Sequence, residues 1–376
     1  MTLSLVLLVI AVALVFEYIN GFHDTANSIA TVVATKVLSP AQAVLLAACT
    51  NLVGALWGTA VAKTIASGLV DSGVVAITPQ VLICALLGAV VWDLITWWWG
   101  LPSSSSHALV GGLCGAALAA AHDNWDAIIW WQGGDHFWQG KGLLPKVVLP
   151  MFSSPLLGFV LGFLIMGAIF AFVSLLSSRS GRLQKLSRPR VLNGFFSKAQ
   201  IFSASAMGLS HGMNDAQKTM GIIALALVGA TSSGALDDLP GWLSFLQIHE
   251  DPDRQFTIAT WIKIVCAITM AAGTAAGGWR IIRTLGHKLV KLHPVNGFAA
   301  ETASASVILA ASHFGIPVST THNISSAIMG VGAAKRFSAI KWTVVERMVW
   351  AWLLTIPVTA LLAWLMVRAL QALNLA

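Results

Sequence analysis

The sequence predicts an all-α polytopic membrane protein built as an inverted-topology repeat, with two broken helices and two re-entrant helical hairpins. Three observations carry this. Of 376 residues, 57% are hydrophobic and 10% charged, and the mean hydropathy is +0.79, whereas a soluble domain carries about 25% charged residues. Apolar runs near or above the ~20 residues that cross a bilayer recur along the whole chain. Two polar motifs set inside those runs each occur twice, in the same order in each half.

The first segment, Leu3 to Ala34, is longer than a ~30 Å hydrocarbon core requires. It holds Asn20-Gly21-Phe22-His23-Asp24-Thr25-Ala26-Asn27-Ser28, and this polar cluster with its glycine predicts a broken or unwound helix. The segment has no basic start and no small-residue cleavage site, so it reads as a retained helix. A second segment covers 41–62, and a weakly polar loop follows at 64–80. The third runs from Val81 to Trp99, then Gly100-Leu101-Pro102-Ser103-Ser104-Ser105-Ser106-His107 leads into a small-residue helix ending near Ala121. The loop 122–145 carries Asp123, Asp126 and Asp135, and a long apolar segment covers 146–176.

Residues 178–198 form the strongest basic stretch, with Arg179, Arg182, Lys185, Arg188, Arg190 and Lys198 and no acid. They separate a first membrane repeat, 1–177, from a second, 199–376. The second repeat opens with 199–230, apolar and interrupted by Gly208, by His211-Gly212-Met213-Asn214-Asp215-Ala216-Gln217-Lys218-Thr219 and by a predicted break there. An acidic loop, 231–255, holds Asp237, Asp238, Glu250, Asp251 and Asp253. Segment 256–279 and a short basic amphipathic piece (Arg280, Arg283, Lys288, Lys291) come next. A helix over 297–313 leads into Gly315-Ile316-Pro317-Val318-Ser319-Thr320-Thr321-His322, a small-residue helix to Ala334, and a final span, 342–368.

Charge orients these segments. Lys and Arg mark cytoplasmic loops, which places 178–198, 280–296 and 335–341 inside. Loops 64–80, 122–145 and 231–255 then face out, as do both termini. The halves therefore insert with opposite orientation. The net charge of +7 sits in these short loops and does not point to nucleic acid. The turns at 102–106 and 317–321 carry no charge, unlike ordinary cytoplasmic turns. Hairpins whose tips meet at the membrane midplane fit better than two full spans, because irregular backbone is tolerated at that depth only around a cavity. Cys49, Cys84, Cys114 and Cys266 lie scattered in apolar runs and read as small buried thiols. The sixteen tryptophans, Trp97 to Trp99 among them, read as interface anchors and packing groups.

The motifs carry the chemistry. A proline followed by hydroxyl residues is a helix-start signature, and a helix N-terminus with free N–H groups suits an oxyanion. Two such tips, Ser103, Ser104, Ser105 and Ser106 in one half and Ser319, Thr320 and Thr321 in the other, would surround a tetrahedral anion with donors. The aspartates are the counterpart. Asn20, Asp24 and Asn27 share a helix face, as do His211, Asp215 and Thr219. Each set is a hard-oxygen site for Na⁺, at Asp24 and Asn27 above all, or a site for H⁺. A carboxylate repels an anion unless a cation or proton sits between them, so anion and cation should bind together. Lys218 stands where the first half has Asn27; it either pairs with Asp215 or reaches the anion, and it discourages a second Na⁺. His107 and His322 are either proton carriers or hydrogen-bonded helix residues. Asn214 flanks the second aspartate. Asp93, Glu301 and Glu346 are further acids in apolar segments with no assigned role.

These residues resemble the PiT family of inorganic phosphate transporters. The resemblance lies in Gly21-Phe22-His23-Asp24-Thr25-Ala26-Asn27-Ser28, in Gly212-Met213-Asn214-Asp215-Ala216-Gln217-Lys218-Thr219, and in the two Pro-x-Ser-(Ser/Thr)-(Ser/Thr)-His tips. The second aspartate motif looks like the bacterial branch, the low-affinity phosphate permeases. The resemblance covers nearly the whole chain. It implies the inverted-repeat fold, a homodimer in the bacterial inner membrane, no resident cofactor, and import of phosphate with H⁺ or Na⁺. It also implies phosphate contacts at Asp24, Asn27, Asp215, Ser103 to Ser106 and Ser319 to Thr321, and Thr219, on the Asp215 face, is expected to join them. The sequence departs from the Na⁺-coupled members by His23 in place of Asn before the first aspartate, and by Lys218 in place of a further Asn. These departures favour H⁺ over Na⁺, with a metal–phosphate complex as one form of the substrate. Sulfate is the alternative anion within the family. An anion channel and an intramembrane hydrolase using Asp24 and Asp215 are the rival classes. No Walker loop, nucleophile elbow or HExxH motif occurs in the chain.

Overall fold

The computed structural model describes residues 3–71, 73–178, 182–248 and 258–375. Arg179 of the basic stretch and Glu250, Asp251 and Asp253 of the acidic loop lie outside the described residues. Among the described residues the protein is helical, with two isolated β-bridges, Val70 with Ile128 and Gln132 with Lys141, tying down the loops around 68–71 and 128–141.

The helices are α1 (Leu3–Ala34), α2 (Pro40–Ala55), α3 (Ala60–Ser67), α4 (Pro79–Trp99), α5 (Ser105–Ala120), α6 (Leu149–Ser177), α7 (Arg182–Leu186), α8 (Pro189–Ser232), α9 (Thr260–Ala276), α10 (Trp279–Arg283), α11 (Pro294–His313), α12 (Thr320–Lys335) and α13 (Trp342–Ala372). Their starts follow local chemistry. Ser39 caps α2 with Gln42 closing the box, Thr78 caps α4, and Pro40, Pro79 and Pro294 open the first turns. Among the described residues, four helices are long and apolar enough to cross a bilayer: α1, α4, α13, and α6 with the π-turn Leu144–Val148 that precedes it. The bent pairs α2–α3 and α9–α10 add up to two more spans. Large apolar side chains such as Leu156, Phe163, Phe172 and Leu365 face outward, as a lipid-facing surface requires. This is an all-α polytopic membrane fold.

The breaks fall on different helices from those expected. Both α1 and α8 run unbroken through their polar clusters. Gly21 and Gly212 serve close packing instead. A Cβ on Gly21 would lie 2.3 Å from the Met270 carbonyl oxygen on α9, and one on Gly212 would lie 2.2 Å from that of Asn51 on α2. The polar side chains are satisfied sideways by neighbouring helices, so the backbone has no need to unwind. The breaks occur one helix later in each half. Helices α2 and α3 bend by 71° and the α9–α10 pair by 58°, where Gly58 (φ 88°) and Gly277 (φ 71°) take left-handed-side conformations. The basic piece beginning at Arg280 is therefore the second half of a bent helix.

The basic stretch differs too. It is not a loop: α7 occupies part of it, and α8 starts at Pro189 and extends to 44 residues. Pro189 sits at the first helical position, and Arg, Leu, Gln and Lys propagate a helix well.

Each half is packed into the other. Helix α1 lies on α9 and α2 on α8, the α4–α5 hairpin lies on α13, and α11–α12 lies on α6. The second limb of each bent helix holds the opposite hairpin turn: Thr284 Oγ1 donates to the Gly100 carbonyl at 2.8 Å, and Thr64 Oγ1 to that of Gly315 at 2.7 Å. Arg280 adds to the first of these, donating to the Trp98 carbonyl at 2.6 Å and lying over the Trp98 ring at 4.3 Å.

Candidate functional site

The two serine and threonine runs open α5 and α12, and one hydroxyl in each run is committed to the helix itself. Ser104 Oγ accepts the His107 amide at 3.2 Å, and Ser319 Oγ accepts that of His322 at 3.1 Å. The amides of Ser105, Ser106, Thr320 and Thr321 stand in the first turns, where a helix offers its N–H groups no internal acceptor. Ser103, just before α5, bonds Thr96 at 2.7 Å on the incoming helix.

The remaining hydroxyls turn to the two aspartates. Ser105 Oγ lies 2.9 Å from Asp24 Oδ2 and 2.7 Å from Asn20 Oδ1. Thr321 Oγ1 reaches Asp24 Oδ1 at 3.3 Å, and Thr320 Oγ1 reaches Asp215 Oδ2 at 3.0 Å. Asn27 donates to both Thr320 (3.2 Å) and Thr321 (2.9 Å). The first aspartate thus touches both tips. Ser106 joins the other side: its hydroxyl accepts from Lys218 and lies 3.4 Å from the Val318 carbonyl of the opposite tip. All these side chains are buried.

Lys218 pairs with Asp215 Oδ1 and also reaches the Val318 carbonyl at 3.3 Å, so one ammonium links the second aspartate to both tips. Histidines flank both carboxylates, with His23 Nδ1 2.7 Å from Asp24 Oδ1 and His211 Nε2 3.1 Å from Asp215 Oδ2. His23 Nε2 meets Thr96 at 3.1 Å and His211 Nδ1 meets Asn51 at 3.2 Å. One ligating atom each of Asp24, His211 and Asp215 lies within 4.8 Å of the others, close enough to share a cation.

The first residues of the tips, Asp24, Asn27, Asp215 and Lys218, therefore form one buried cluster with contributions from α1, α5, α8 and α12. The model of the phosphate transporter family matches residues 20–363. The chain belongs to that family. It is 41% identical over 360 residues to a "Probable low-affinity inorganic phosphate transporter" of Bacillus subtilis (strain 168), covering 96% of this chain and 95% of the relative. A protein of the same name from Rhizobium meliloti (strain 1021) is 44% identical over 365 residues, covering 96% of each. The fold resembles a solved structure described as "The sodium-dependent phosphate transporter", with a TM-score of 0.76, 23% identity, and coverage of 98% of this chain and 100% of that one.

Within this member of the phosphate transporter family, some expected residues sit elsewhere. Thr219 does not face the tips; its hydroxyl donates to Glu17, because it lies one turn beyond Asp215 toward α1. Asn214 braces the second hairpin turn instead, donating to Ser312 Oγ at 2.9 Å and the Ile316 carbonyl at 3.3 Å. His107 and His322 meet each other edge to face at 4.8 Å, and His322 stacks on Trp352 at 4.2 Å. Glu346 is exposed near the start of α13. Glu301 is buried and fully engaged, accepting from Thr31, Gln200 and Ser203, and so ties α1, α8 and α11 together. Asp93 is buried with both carboxylate oxygens unpartnered among the described residues.

Sequence reasoning passed over Glu17. The signal was present: an acid inside an apolar run, seven residues before Asp24 and hence on the same helix face. Asn51, Thr96 and Thr274 were also missed. As single polar residues in apolar helices they carry no pattern, yet Asn51 Nδ2 donates to Thr274 at 3.0 Å beneath the His211 contact.

Proposed function

We propose that the protein imports inorganic phosphate by cation-coupled symport through alternating access, with H⁺ favoured over Na⁺. One observation carries the reading: hydroxyls from two helix-opening tips, one in each half, converge on two buried aspartates and one lysine in a single cluster. Helix N-termini and hydroxyls supply donors for a tetrahedral oxyanion. The aspartates would repel that anion unless protons or cations accompany it, so the two solutes travel together. Lys218 supports the preference for H⁺. Its ammonium is already paired with Asp215, where a metal cation would otherwise sit. A metal–phosphate complex could bring its own cation to the Asp24 side.

The repeated order of elements and the reciprocal packing of the halves suit an inverted repeat, 1–177 and 199–376, rocking about the cluster. The basic segments favour an orientation with the linker 178–198 in the cytoplasm and both termini outside. The setting is the bacterial inner membrane, with a homodimer as the assembly.

The test is uptake of labelled phosphate into proteoliposomes, with H⁺ and Na⁺ gradients imposed separately and sulfate as competitor. Concentrative uptake driven by the pH gradient, resistant to sulfate and lost in Asp24→Asn, supports the reading. Downhill flux that ignores every cation gradient identifies a channel instead.

A further inference from the structure

Two half-sites account for Asp24 and Asp215 but leave a third carboxyl beside them. Glu17 lies on α1, seven residues before Asp24, and is fully buried. One of its oxygens accepts the Thr219 hydroxyl. The other has no partner among the described residues. The Asn20 side chain is a further hydrogen-bonding neighbour of Glu17 and leads on to the first half-site, since Asn20 Oδ1 receives Ser105, whose hydroxyl also faces Asp24. Thr219 leads to the second half-site, one helical turn from Asp215 on the same face of α8. Glu17 therefore adjoins both aspartates without touching either tip.

Charge counting gives this position a purpose. The three carboxyls Asp24, Asp215 and Glu17 face a single ammonium, Lys218. Fully ionised, the cluster would be negative before any anion arrived. Both oxygens of Asp24 and of Asp215 have donors or cationic partners. Glu17 alone of the three keeps an unmatched oxygen. A buried carboxyl with an unmatched oxygen is unfavourable as an anion and tolerable as a neutral acid. The ionisable groups acting on it are Asp215 and Lys218 of α8 and the Cys266 thiol of α9. Asp93 of α4 lies within the electrostatic reach of His23 and Asp24 instead.

We propose that Glu17 is the binding site of a co-transported proton, set between the two half-sites and outside the anion's own contacts. The proposal rests on reading the protein as a cation-coupled phosphate importer. The carboxylate takes a proton from the outer solution as phosphate binds, which lowers the negative charge the anion meets. It releases the same proton to the cytoplasm after the phosphate leaves, and no other reactant is consumed.

The test uses the full-length protein in proteoliposomes, with two readouts of labelled phosphate: accumulation under an acid-outside gradient, and phosphate–phosphate counterflow without a gradient. In Glu17→Gln accumulation should fall about tenfold or more, within the span of ordinary coupling between sites. Counterflow should continue, and uptake should lose its dependence on external pH. Glu17→Asp, which keeps a carboxyl, should recover gradient-driven uptake. Accumulation by Glu17→Gln with the wild-type pH profile overturns the proposal. So does loss of counterflow together with accumulation in both variants, which would assign Glu17 to the fold or to the anion site. Wild-type protein without phosphate counterflow overturns the transport reading itself, and Na⁺-driven uptake indifferent to pH overturns only the role of the proton.

Discussion

Replacing Lys218 by Asn probes the cluster where its charges are most tightly balanced. The ammonium pairs with Asp215, both groups are buried, and the same nitrogen bonds Ser106. Removing one partner of a buried ion pair costs about 3–5 kcal/mol, because the other charge is left behind. For 376 residues at about 2.1 cal/mol/K each, the unfolding entropy is ~0.8 kcal/mol/K. The variant should therefore melt roughly 4–6 °C lower. Sodium can enter the vacated position. At a hundred times its dissociation constant it would return about 2.7 kcal/mol, or ~3 °C. The assay is thermal unfolding of detergent-purified protein, read through its sixteen tryptophans in NaCl against choline chloride of equal strength. The wild type should melt alike in both salts, and Lys218→Asn should be rescued by sodium alone. An unrescued variant, or a wild type that gains as much from sodium, would show that Lys218 does not occupy a cation position.

Gly212→Val forces a side chain against the Asn51 carbonyl, so α2 and α8 must part; the expected loss is about 1–3 kcal/mol, seen as a lower melting temperature. Ser105→Ala combined with Thr320→Ala removes one hydroxyl from each tip and should weaken phosphate in equilibrium binding, while membrane insertion stays normal; unchanged affinity would move the anion away from the tips. On the surface, Asp123 accepts the Trp364 indole N–H at 2.7 Å and pairs with Arg368, joining the loop after α5 to the end of α13. The Trp364 hydrogen bond and the Arg368 charge hold its carboxyl below the usual aspartate range. A lowered folded-state value means the stabilisation is complete above that range and fades as pH falls through the lowered value. The melting difference between wild type and Asp123→Asn should thus be steady near neutrality and vanish in strong acid; a difference that grows on acidification contradicts it.

The membrane class, the paired motifs and the meeting of the tips were legible because each leaves a repeated mark: a long apolar run, a duplicated Asp, a duplicated Pro and hydroxyl run. What failed to show was lateral. Gly21 reads as a helix breaker in one dimension, but in three it admits the Met270 carbonyl. The breaks at Gly58 and Gly277 lie outside both repeated polar motifs. Thr219 shares the Asp215 face, yet periodicity does not say which neighbour claims its hydroxyl, and Glu17 does. Glu17 itself escaped because it has no copy: the matching position, seven residues before Asp215, is Gly208. Repeats reveal what the halves share and hide where they differ.

On the proposed function, one phosphate sits between the two tips. A cryo-EM map of the purified protein with saturating phosphate tests it most directly. Anion density should be held at once by the α5 start, at Ser105 and Ser106, and by the α12 start, at Thr320 and Thr321, with Asp24 and Lys218 beside it. Density touching one tip alone, or lying outside this cluster, would contradict it.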